Sequence, residues 1–171
     1  NVKVAQSPQW INERLTAQGT RPINNIVDIT NYLRIELGQP SHAFDYDKIS
    51  GSTMHLRTSR ANEKMTTLDG KEHKLPGGDI IIEDSKEIID LAGIMGGKKC
   101  EVHAGTQNIF IEVANWKAAE IRKTSSRLGL RTDASQRYEK SLDSKLCERT
   151  LLRTLDLILQ AKANTNQHSL S

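Results

Sequence analysis

Cysteine is almost absent from this chain: Cys100 and Cys147 stand far apart with no paired spacing. That excludes a disulfide framework and a cysteine zinc site, and it fits a reducing, cytoplasmic setting. Aromatic residues are also sparse, at 4% of the sequence. No apolar run approaches the roughly 18 residues needed to cross a bilayer, and the N-terminus carries no secretory pattern, so no membrane partner is expected. Net charge is small, +3 from 24 basic and 21 acidic residues. Such a balance cannot attract nucleic acid in general, so any contact with RNA has to be local. Internal repeats and low-complexity segments are missing. The glycines of Gly93-Ile94-Met95-Gly96-Gly97 have no Lys-Ser or Lys-Thr behind them, which rules out a phosphate loop. Neither a Ser-His-Asp nor a Cys-His constellation is evident, and no metal-ligand cluster. Covalent catalysis by a protein nucleophile is therefore not indicated.

What is present reads as an ordinary globular domain: 171 residues, 36% hydrophobic and 26% charged. Ser7-Pro8 looks like a cap followed by proline at the first helical position, with Gly19 as the stop, which predicts a short helix over 8–18. Ile26, Ile29, Leu33 and Leu37 recur at helical steps, predicting a packed helix over 24–37 that Gly38 and Pro40 terminate. His42 follows that stop. Beyond it the period changes to two: Met54, Leu56 and Thr58 alternate with polar residues, and Asp69-Gly70 marks a hairpin. Residues 79–82 and 88–91 flank a polar turn, and 108–113 is a further strand. A helix over 117–128 stops at Gly129, and a last helix begins at Asp143-Ser144 with Leu151, Leu155, Ile158 and Leu159 available to pack. The order helices, sheet, helices predicts an α+β domain with a large mixed, mostly antiparallel sheet flanked by helices. The domain is expected to occupy residues 1–162, with 163–171 a polar tail, frayed or cut.

Four separated motifs carry a family resemblance: Arg21 to Tyr32, Gly38-Gln39-Pro40 with His42-Ala43-Phe44-Asp45, Leu91 to Gly97, and Thr132-Asp133-Ala134-Ser135. In this order, from about Ser7 to about Leu159, they resemble the central editing domain of the bacterial phenylalanyl-tRNA synthetase beta chain. The resemblance implies removal of tyrosine wrongly attached to the phenylalanine tRNA. It implies tRNA(Phe) and the tyrosine moiety as ligands, and the synthetase alpha subunit as partner in an alpha2-beta2 tetramer. No cofactor is implied for editing; ATP and Mg2+ would serve the parent synthetase at a site outside this chain.

By position, the resemblance assigns His42 and Thr132 to catalysis, and Glu112, Gly96, Asn31, Ala134 and Arg21 to substrate binding. Each has a plainer reading. A loop histidine is commonly a surface or structural group, and Asn31 could be a helix-surface amide. Gly96 fits a tight turn, although a Gly-Gly backbone also lets a ligand approach its amides. Glu112 lies in Ile109-Phe110-Ile111-Glu112-Val113-Ala114, where alternation cannot say which way it faces; the resemblance makes it the acceptor for the phenol of tyrosine. Thr132-Asp133-Ala134-Ser135 is also a capped turn, and Arg21 before proline is commonly a solvated charge. Arg122, Lys123, Arg127, Arg131 and Arg137 could touch a tRNA backbone or simply form a charged face. Two other functions remain open: a non-catalytic structural or tRNA-docking module, and a free-standing protein that edits in trans.

Overall fold

Asn24 starts the helix on which the site is built. Its side chain accepts hydrogen bonds from the Ile26 and Val27 amides, capping α2 (Asn25–Glu36), and Gly38 at φ 79° ends it in the left-handed region. In the computed structural model, which describes residues 1–167 and side chains as far as Ala161, Ile26, Ile29 and Leu33 are buried as their spacing predicts. The preceding helix, α1 (Gln9–Ala17), begins differently from expectation. Ser7 does not cap it; its hydroxyl instead donates to Asp28 Oδ2. Asp28 is 1% exposed, and a buried carboxylate needs donors more urgently than a helix end that water can reach.

The strands form three small antiparallel ladders in place of one large mixed sheet. β1 (His42–Asp45) pairs with β8 (Ile109–Glu112), with His42 opposite Glu112. A second ladder runs in the order β2 (His55–Thr58), β5 (Ile80–Glu83), β6 (Ile88–Leu91), β7 (Met95–Gly96), with Asp90 opposite Gly96. The third is the hairpin β3 (Lys64–Thr66) and β4 (Glu72–Lys74), which turns through Asp69-Gly70 as predicted. Strands of two to four residues, separated by turns with positive φ at Gly77, Gly78 and Gly93, are too short to share one continuous sheet. The α+β class holds. In β2 the expected inward face is reversed: Leu56 is 61% exposed, while Arg57 is held by Glu63 and Glu83.

After β8 come α3 (Ala118–Leu128), stopped by Gly129 at φ 65°, α4 (Asp133–Tyr138) and α5 (Leu146–Gln167). Helix α5 continues past residue 162, so the expected boundary falls inside it, and 168–171 lie outside the described residues. Its packed face is also not the predicted one. Thr150, Thr154, Leu157 and Ala161 are buried, whereas Leu151, Leu155 and Leu159 are exposed and Ile158 is half-buried. Threonine and alanine face inward because small side chains let α5 lie close against α2, and Thr154 satisfies its hydroxyl on the Thr150 carbonyl. Two clusters matter most for the site. Ile11, Leu15, Ile29, Leu33 and Leu157 lock α1, α2 and α5 together, while Leu91, Ile94, Ile121 and Tyr138 join the sheet to α3 and α4.

Candidate active site

Helix α2, the turn after it, the end of β7 and the start of α4 enclose a cleft of about 500 Å3, within the range of small-ligand sites. Asn31, His42, Gly96, Thr132 and Ala134 all line it. A narrower recess of about 70 Å3 adjoins it, sharing His42, Gly96 and Ala134, and carries Asp90, Glu112, Trp116 and Tyr138 on its walls.

Ladder register brings these residues together. His42 sits opposite Glu112 in one ladder and Asp90 opposite Gly96 in another. The ladders abut where the His42 ring lies on Gly96, so close that a Cβ at 96 would fall 2.5 Å from Nε2. Glycine at 96 is therefore required for this approach; its φ is ordinary, so the requirement is space and not backbone strain. Phe44 supports the imidazole edge-to-face, with centroids 4.5 Å apart at 83°. The neighbouring Gly97 amide donates to the Ile89 carbonyl at 2.8 Å. That amide is used, so the Gly-Gly pair does not offer two free donors to a ligand.

Gln39 and Tyr138 fix the turn that delivers His42. The Gln39 amide donates to the Ala114 carbonyl at 2.9 Å and to the Pro40 carbonyl, and the Tyr138 hydroxyl donates to the Pro40 carbonyl at 3.0 Å. The residue leading into His42 and the residue two beyond Glu112 are thereby tied to α4. Thr132 is a hinge pin of the same kind. Its hydroxyl donates to the Ile94 carbonyl at 2.8 Å and accepts from the Ser135 amide, while Ser135 Oγ accepts from the Thr132 amide, a reciprocal cap at the start of α4. A hydroxyl engaged in both directions is suited to holding the β7 end against α4 more than to attacking an ester.

Burial sets the charges. It lowers the His42 imidazole to about 4, leaving the ring neutral at pH 7, and it raises the Glu112 carboxyl to about 7. Asp90 is pushed well above the usual carboxylate range, by burial first and then by the charge of Glu112. The Tyr138 phenol is raised by burial and by Glu112, so it stays a donor.

Five of the seven expected residues meet in the cleft, and Glu112 stands in the recess beside it. Arg21 does not join them. It is exposed on the α1–α2 loop, where buried Asp28 draws in the Ile23 amide at 2.8 Å and leaves the arginine in solvent. Of the basic run, Lys123, Arg127 and Arg131 are paired with Glu120, Asp79 and Glu139, the pattern of a charged protein face. Gln39, Tyr138, Trp116 and Asp90 were missed from sequence. Asp90 carried a usable signal, a carboxylate amid Ile88, Ile89 and Leu91, much like Glu112 amid its own apolar run. Among the described residues no three His, Cys, Asp or Glu side chains gather as a metal site needs, and no helix is long and apolar enough to cross a membrane.

Fold and site together define an α+β domain with a ligand-sized cleft, a neutral histidine on its wall and a recess lined by carboxyl groups. The chain belongs to the B3/4 domain family, which it matches over residues 1–163. It is 48% identical over 98% of its length to the phenylalanine-tRNA ligase beta subunit of Carboxydothermus hydrogenoformans. Identity to the Clostridium acetobutylicum beta subunit is 46% over 95% of this chain, and to that of Fusobacterium nucleatum 43% over 94%. The resemblance carried by the four motifs is thereby borne out. The chain spans about a fifth of the length of these relatives, 20–21% of each.

Proposed function

We propose that this domain proofreads for a phenylalanine-tRNA ligase, hydrolysing the ester of tyrosine wrongly attached to tRNA(Phe). The observation that carries the reading is Glu112: a carboxylate in a recess off a ligand-sized cleft, accepting no hydrogen bond among the described residues. Solvent reaches this half-buried carboxylate in the free domain, so a ligand that displaces the solvent must bring a donor of its own or leave the acceptor unpaired. The phenol of tyrosine supplies one and phenylalanine cannot, so selection works by a missing partner. A pocket shaped for phenylalanine rejects an added hydroxyl only about a hundredfold, which is why a second site is needed.

In this reading the ester lies in the larger cleft beside His42. The neutral imidazole accepts a hydrogen bond from water and aims its oxygen at the ester carbon, while Asn31 and Ala134 bound the amino acid. Thr132 acts by keeping the Ile94–Gly96 strand end in place. tRNA(Phe) is held largely by parts of a longer beta chain, which joins an alpha subunit in an alpha2-beta2 ligase of the cytoplasm. ATP and Mg2+ serve ligation elsewhere in that assembly. The test is deacylation of tyrosyl-tRNA(Phe) by this chain and by the whole synthetase. Hydrolysis by the synthetase that disappears when this domain is deleted supports the reading, and hydrolysis that survives the deletion refutes it.

A further inference from the structure

Asp90 has no place in the chemistry above, yet it is among the least accommodated groups in the molecule. It is 3% exposed, it lies in an all-buried strand, and its Oδ2 is sealed from solvent without a hydrogen-bond partner. No ion pair or hydrogen bond reaches its carboxyl group among the described residues. Burying a carboxylate in that state is costly enough that a chain with freedom to place an apolar residue there would gain by it.

Its position gives it a use. β6–β7 pairing sets Asp90 opposite Gly96, β1–β8 pairing sets His42 opposite Glu112, and the His42 ring rests on Gly96. The two carboxyl groups therefore share the walls of the 70 Å3 recess, a space with room for a hydroxyl-sized head group. We propose that Asp90 and Glu112 read a ligand hydroxyl from both sides, Asp90 as a neutral acid donating its O–H to the hydroxyl oxygen and Glu112 as the carboxylate accepting the hydroxyl proton. This rests on the proofreading function and extends it: the preferred ligand is one whose hydroxyl is both donor and acceptor, as a phenol is.

The surroundings favour this division of roles. The titratable groups that share the recess with the pair are His42 from β1, neutral at pH 7, and Tyr138 from α4, whose phenol burial keeps protonated; Cys147 of α5, whose thiol is raised by burial and by the charge of Glu112, lies outside the lining. None is a cation, so two ionised carboxylates would repel with nothing to balance them, and one must keep its proton. The more deeply buried Asp90 is the one that keeps it, its carboxyl raised by burial and by the charge of Glu112. A phenylalanine ring would leave both groups unpaired, which makes rejection sharper than a lone acceptor provides.

The test uses the whole synthetase with Asp90→Val, Asp90→Asn and Glu112→Ala. Asp90→Val should narrow the tyrosyl-over-phenylalanyl deacylation preference by about tenfold, and Asp90→Asn, whose amide still donates, should restore most of it. Infrared spectra of this chain near pH 8.5, where Glu112 with its carboxyl at about 7 is ionised, should show a protonated-carboxylic-acid band that Asp90→Asn removes. An unchanged preference in Asp90→Val, or a band that survives Asp90→Asn, overturns the assignment. The two levels of the argument separate cleanly. If Glu112→Ala narrows the preference and Asp90→Val does not, only this inference falls. If the unmodified synthetase hydrolyses no tyrosyl ester, the proofreading function falls and this inference with it.

Discussion

Gly96 is the residue at which the site is most sensitive to a small change. A methyl group there would stand 2.5 Å from His42 Nε2 and 2.6 Å from Cε1, so Gly96→Ala must displace the imidazole. Its backbone conformation suits alanine, and the fold should survive. Misplacement by about 1 Å can cost on the order of a hundredfold in rate, so tyrosyl-tRNA hydrolysis should fall by roughly that factor with melting nearly unchanged. Deacylation rates paired with the imidazole NMR signals of His42 check this; a normal rate with a shifted ring would remove His42 from the chemistry. Glu112 gives a second prediction at this scale. Its carboxyl rises from an ordinary 4.5 to about 7, because burial favours the neutral form. Stability contributed by neutral Glu112 is full below pH 4.5 and is lost as pH climbs toward 7, since the unfolded chain ionises first. Wild type should therefore lose melting temperature relative to Glu112→Gln between pH 5 and pH 8, and a gap that stays constant would place Glu112 in water. Sequence alone exposed His42, Glu112 and Gly96 as positions but could not show this electrostatic coupling. Which buried groups lack partners depends on how two ladders abut, and no local pattern encodes that.

At the scale of elements, the helices were legible and the depth of their faces was not. α2 follows its apolar spacing and glycine stop closely, and α3 ends at its glycine stop, as local signals allow. α5 departs from expectation: Leu151, Leu155 and Leu159 are exposed, and the contact uses Thr150, Thr154, Leu157 and Ala161. Helix-to-helix approach selects small side chains as well as apolar ones, and hydropathy registers only the second property. Two substitutions two positions apart separate these faces. Leu157→Ala, at 2% exposure, should cost about 2–5 kcal/mol. Leu155→Lys, at 47% exposure, should stay within about 0.5 kcal/mol. Urea unfolding of both variants decides it, and a larger loss from Leu155→Lys than from Leu157→Ala would mean that α5 packs on the face carrying Leu151, Leu155 and Leu159. The division of the sheet was invisible for a related reason: runs of two to four residues indicate strands but not their partners.

For the whole molecule, the architecture explains why a small domain can hold buried, unpaired polar groups. The α1–α2–α5 cluster and the cluster joining the sheet to α3 and α4 are separate cores, and the cleft runs between elements that belong to both. Stability generated on each side offsets the cost of keeping Asp90 Oδ2 buried without a partner. The measurement that tests this most directly is single-turnover deacylation of tyrosyl-tRNA(Phe) and phenylalanyl-tRNA(Phe) by the synthetase carrying Glu112→Ala. A hydrogen bond to a charged acceptor is worth about 1.5–3 kcal/mol, so tyrosyl hydrolysis should drop roughly ten- to hundredfold and the preference for tyrosine should narrow by a similar factor. An equal loss on both substrates, or none on either, would contradict the account.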